Sequence, residues 1–125
     1  MDRKKKEAVS SCMGLWHIVS MDQWDEDYLN EEVQAYIEFK PNRMGDFQFG
    51  YVTGCIDWRP TTRDGSPAAE WTWEGGDKAD GTPLTGRGWA TLEGDELHGM
   101  IVIHEGEESE FVAKMPKIKK SPKRK

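Results

Sequence analysis

The sequence predicts an all-β domain with one short helical excursion, an antiparallel meander that closes into a small barrel or half-barrel. Three observations carry this prediction. Apolar and polar residues alternate along several segments, most cleanly over Val33-Gln34-Ala35-Tyr36-Ile37-Glu38-Phe39-Lys40. Short Gly-, Asp- and Pro-containing turns separate these segments. The 125 residues include six Trp, four Phe and three Tyr, so large rings are available to build a core despite a charged fraction of 32%. About seven twisted strands tend to curl, and closure removes exposed edges. A two-sheet sandwich is the alternative arrangement.

The elements follow in order. Met13 to Ser20 reads as the first strand, because Trp16, Ile18 and Val19 suit a pleated, half-buried surface. Met21 to Glu32 is acidic, with Trp24, Tyr28 and Leu29 at helical spacing. One or two helical turns fit there, with Asp22 as N-cap. Val33 to Lys40 is the second strand, and Pro41 to Asp46 a turn. Phe47 to Trp58 reads as one long strand with Phe47, Phe49 and Tyr51 on one face. Ile56 and Trp58 then change parity, which predicts a bulge or bend near Gly54. Arg59 to Pro67 and Gly75 to Thr85 read as loops, on either side of a strand bearing Trp71 and Trp73. Gly86 to Leu92 and Leu97 to His104 form a hairpin across Glu93-Gly94-Asp95-Glu96, and Ser109 to Met115 is the last strand.

Charge divides the chain. Residues 2–7 and 114–125 hold 11 of the 17 basic residues and two acids, a net +9. Residues 8–113 hold 6 basic and 21 acidic residues, a net −15. The expected organisation is a basic tail over 1–11, one β domain over 12–115 and a second basic tail over 116–125. Lys117, Lys119, Lys120, Lys123, Arg124 and Lys125 are candidates for contact with nucleic acid or another anionic partner, and the run resembles a nuclear import signal. Against this, the acidic body repels phosphate, and the arms also read as plain solubilising tails. No apolar run reaches the ~20 residues of a membrane span, and the N-terminus lacks a signal peptide's apolar region. A cytoplasmic setting is expected, with Cys12 and Cys55 reduced.

No motif specifies a reaction, a metal or a cofactor. His98 and His104 lie six residues apart, about 20 Å along one strand, too far to share a metal. His104, beside Glu105, Glu107 and Glu108, is the one acid–base candidate for a small barrel enzyme, against the plainer reading of a strand-end histidine bonded to a turn. The acid clusters at Asp25-Glu26-Asp27 and Glu105 to Glu110 lack the order of a calcium loop. No serine sits in a nucleophile elbow, and there is no phosphate-binding or dinucleotide fingerprint. What remains is the aromatic set. Trp16, Phe47, Phe49, Tyr51, Trp71, Trp73 and Trp89 fall on strands, with Arg87 nearby. They fit either a packed core or an interior that holds a small apolar or aromatic ligand, with Arg87 as anion partner.

Gly14-Leu15-Trp16 resembles the G-x-W signature on the first strand of lipocalins and other calycins. That resemblance implies a calycin-like barrel with Trp16 closing its base. The second lipocalin signature is not evident, and Gly86-Arg87-Gly88 does not reproduce it. Over residues 14–115 the chain is also similar to a family of small, uncharacterised bacterial β-rich proteins. The similarity rests on Met21-Asp22-Gln23-Trp24-Asp25, Phe47-Gln48-Phe49-Gly50, Trp73-Glu74-Gly75, Gly86-Arg87-Gly88-Trp89-Ala90 and Ile103-His104-Glu105-Gly106-Glu107-Glu108-Ser109. It implies a single compact domain and carries no catalytic residue across. The function expected is a non-enzymatic binding or accessory domain that uses a barrel pocket or an exposed aromatic face. The sequence leaves the oligomeric state open.

Overall fold

Wherever rings and aliphatic residues alternate with polar ones, the chain is extended and pairs with its neighbour. The computed structural model describes residues 11–116. The strands are β1 (Gly14–Met21), β2 (Tyr36–Phe39), β3 (Met44–Phe49), β4 (Val52–Arg63), β5 (Ser66–Asp77), β6 (Thr82–Glu93), β7 (Glu96–Ile103) and β8 (Glu108–Lys114). One helical turn, α1 (Glu26–Leu29), follows β1, and a 3-10 turn (Pro41–Arg43) precedes β3. Every strand pairs antiparallel with the next, and β8 returns to β1. The result is a closed eight-stranded meander barrel, not a half-barrel or a sandwich.

The interior is filled. Phe39 lies 5.2 Å from both Trp58 and Trp71, and Trp71 lies 6.4 Å from Phe111, centroid to centroid. A second group joins Phe49, Phe47 and Trp73 at 5.8 and 5.0 Å. Large rings on one strand meet small residues on the next. Trp71 stands opposite Gly88 and Trp73 opposite Gly86. A Cβ on Gly88 would come within 2.6 Å of the Trp71 ring, and one on Gly86 within 2.8 Å of Trp73 Nε1. Eight strands enclose just enough space for side chains, and these rings occupy it as core.

Both ends are closed. At the base, Trp16 is buried and its Nε1 donates to the Cys12 carbonyl at 2.8 Å. Trp58 Nε1 donates to the carbonyls of Lys40 and Met44, both at 3.0 Å. At the mouth, residues 22–35 form a strap. Leu29 is fully buried, and Trp24 packs 4.9 Å from Phe49. The Gly50 N–H donates to the Leu29 carbonyl at 2.8 Å, and the Tyr51 N–H to the Tyr28 hydroxyl at 3.3 Å.

Several elements differ from expectation. Asp25, not Asp22, caps α1, its carboxylate accepting the Tyr28 N–H at 3.0 Å. Asp22 instead accepts from Ser109 Oγ at 2.7 Å and from the Glu110 N–H at 3.0 Å, tying the strap to β8. β2 is shorter than its alternation, and Val33 is 42% exposed. The long strand through Phe47 and Trp58 is two strands. Gly50, at φ +59°, makes the turn between them, so the parity change comes from a chain reversal and not from a bend at Gly54. Gly54 pairs in regular register with Phe47 and Gly75, and the bulge lies in β1, between Ile18 and Ser20. The segments read as loops are largely strand, because the β4–β5 ladder runs out to Arg63 opposite Ser66 and the β5–β6 ladder to Asp77 opposite Thr82. The basic tails, beyond Ser11 and Pro116, fall outside the described residues.

Candidate functional site

The barrel sorts the candidate residues into three places. Trp16, Phe47, Phe49, Trp71 and Trp73 point inward and are at most 4% exposed. Tyr51 is in the turn after β3, half-buried, with its ring 6.3 Å from Tyr28. Arg87 and Trp89 lie on the outside. Their strand presents Gly86, Gly88 and Ala90 to the interior, which leaves the residues between them facing out. Trp89 therefore does not line an interior pocket, and Arg87 is not the anion partner of one.

His104 stands apart from the other candidates. It lies in the turn after β7, its side chain is 69% exposed, and its Nε2 stands 3.8 Å from Glu105 Oε2. Its ring makes no hydrogen bond among the described residues, so nothing there orients it as an acid or a base. His98 Nε2 contacts Glu96 Oε1 at 2.8 Å, and Lys114 Nζ reaches the same carboxylate at 3.4 Å. First His98, then Lys114, holds the Glu96 carboxyl below its usual range. Among the described residues, no three His, Cys, Asp or Glu side chains gather as metal ligands. Both cysteines are free. Burial pushes the Cys12 thiol up to about 11, whereas Cys55 is exposed on β4.

The outer surface has two characters. On β4 and β5 the outward residues are polar, among them Asp57, Arg59, Glu70, Thr72 and Glu74. On β6, β7 and β8 an apolar stripe replaces them. The pairing sets out three outward rows across these strands: Arg87, Val102 and Glu108; Trp89, Met100 and Glu110; Thr91, His98 and Val112. Trp89, Val102, Met100, His98 and Val112 are all partly exposed. The Arg63 guanidinium sits over the Trp89 ring, 4.9 Å from its centroid. A cleft of about 440 Å³ runs beside Trp89, His98, Met100 and Val112, with Asp22 and Glu110 at its acidic rim. On the other side of Trp89, a cleft of about 270 Å³ is lined by Arg59, Arg63, Arg87 and Glu70.

The sequence named Trp89, Arg87 and an exposed aromatic face as candidates, but not Met100, Val102 and Val112 beside them. A signal for the outward face was present in the spacing Gly86-x-Gly88, where the two glycines are the residues that fit beneath Trp73 and Trp71. Among the described residues, no helix is long and apolar enough to cross a membrane. The charged rows of β4 and β5 also lack the apolar belt of a lipid-facing barrel.

Fold and surface together define a class: a filled, closed eight-stranded barrel with a partly exposed apolar stripe on its outer wall. No protein-family model, curated protein or solved structure matches the chain.

Proposed function

We propose that this protein is a non-catalytic binding or accessory domain that works through the outer wall of β6, β7 and β8. One observation carries the reading. Outward positions of a barrel that meets water are expected to be polar, yet Trp89, Met100, Val102 and Val112 interrupt that pattern side by side. A Trp–Met surface offers a rigid ring and a flexible thioether, a pairing suited to apolar side chains or to a small flat ligand. The filled interior and the unoriented His104 weigh against a barrel-pocket ligand and against an enzyme.

A calycin-like affiliation belongs to the same proposal, supported by the closed meander and by Trp16 at the base. So does a cytoplasmic setting, supported by two unpaired cysteines.

Titration with an environment-sensitive apolar dye tests the reading. The protein should bind the dye saturably and transfer energy from Trp89, and Met100→Glu should abolish this without altering near-UV circular dichroism. Unchanged dye binding by Met100→Glu would remove the wall from consideration.

A further inference from the structure

The charges that flank the apolar stripe are arranged antisymmetrically about β7, and we infer that the partner of this wall is a second copy of the same chain. The inference rests on the wall being the binding surface. β7 contributes His98, Met100 and Val102 along the middle. On the β6 side stand Arg87 and the Trp89 ring with Arg63 over it; on the β8 side, in the same rows, stand Glu108 and Glu110. Arg87 and Glu108 flank Val102 two strand spacings apart, about 10 Å, too far to pair within one molecule. Among the described residues neither makes an ion pair, and both are exposed.

A two-fold axis along β7 brings these charges together. It sets Met100 against Met100 and Val102 against Val102. It lays Arg87 of one copy over Glu108 of its partner, and the Arg63–Trp89 pair over Glu110. The rotation repeats each contact, as an isologous interface requires. The next row sets Glu93 of one copy over Lys114 of the other, and Glu96, which lies on the axis, is paired with His98 and Lys114 within its own copy. Complementarity of this kind fixes register and excludes wrong partners. The wall is convex, so contact is confined to β6, β7 and β8. That places the dimer at the small end of specific interfaces, forming with rising concentration and not obligately.

Sedimentation of the full chain from low micromolar to submillimolar concentration tests the inference. The wild type should pass from monomer to dimer. Arg87→Glu and Glu108→Arg, each on the exposed surface, should each weaken the dimer about 10-fold or more. An equimolar mixture of the two variants should associate again, as should the double variant, because the rotation then pairs opposite charges once more. Association that ignores both reversals would overturn the interface, and a monomer at every concentration would overturn the dimer. A monomer that still binds the apolar dye in a Met100-dependent way would leave the wall as a site for another occupant. A monomer that binds no dye would end both readings.

Discussion

Gly88 shows how closely single residues are fitted inside the barrel. A methyl group there would meet the Met100 carbonyl oxygen and the Trp71 ring, both at 2.6 Å. Neither can retreat, since one is ladder backbone and the other is packed on Phe39 and Phe111. Gly88→Ala should therefore cost about 1–3 kcal/mol or more in chemical denaturation, as overpacked cores do. Gly65, in an open hairpin turn at φ +83°, has no such neighbour, and alanine there would bring only backbone strain. The two thiols make a second contrast. The Cys12 thiol, raised to about 11 by burial, should stay unreactive in the folded protein at pH 8, while exposed Cys55 reacts readily. A thiol-specific dye should count one group natively and two in denaturant. Two native groups would mean that the base around Trp16 opens.

The strap is held to the barrel by separate anchors that can be tested one at a time. Leu29 and Trp24 supply apolar contact, Asp22 ties it to β8, and Glu32 accepts hydrogen bonds from Gln48 and Lys78, both at 2.7 Å. Leu29→Ala should cost about 2–5 kcal/mol and raise the quenching of Trp24 by acrylamide. Lys78, then Gln48, holds the Glu32 carboxyl below its ordinary value. A depressed folded-state value favours the fold above the unfolded carboxylate range, and the contribution fades as pH falls through the folded value. The strap's anchorage should thus be constant at neutral pH and weaken on the acid side. Glu32→Gln should flatten that acid limb, read as the pH dependence of Trp24 emission. The same strap shows what local pattern leaves out. Ala35 at the end of the strap and Ile37 and Phe39 of β2 are fully buried as their alternation requires, but Val33, earlier in the strap, faces solvent. Asp22 looked like a helix cap by position, whereas Asp25 is the residue whose carboxylate meets a free N–H of α1.

Across the whole molecule, the net −15 of residues 8–113 opposes compaction. Ion pairs such as Lys40–Asp46 at 3.1 Å and Lys78–Glu32 at 2.7 Å are partly exposed, and such pairs each contribute only about 0–1 kcal/mol. Screening the excess of acids outweighs screening those pairs. The midpoint of thermal unfolding should accordingly rise with moderate salt, and a fall would show that the local pairs dominate. The all-β class, the antiparallel order, a rich aromatic core and the hairpin at Gly94-Asp95 were legible in the sequence, because alternation and turn chemistry are local properties. Closure into a barrel was legible too, as the way to remove exposed edges; the division of Phe47 to Trp58 into two strands and the outward position of Trp89 and Arg87 were not. Each depends on which strand lies alongside, and so on the register that seats Trp71 over Gly88 and Trp73 over Gly86. Composition by itself determined a ring-filled β domain. Only the tertiary pairing decided that Trp89 faces out, beside Met100 and beneath Arg63, because strand register fixes which alternate residues point inward.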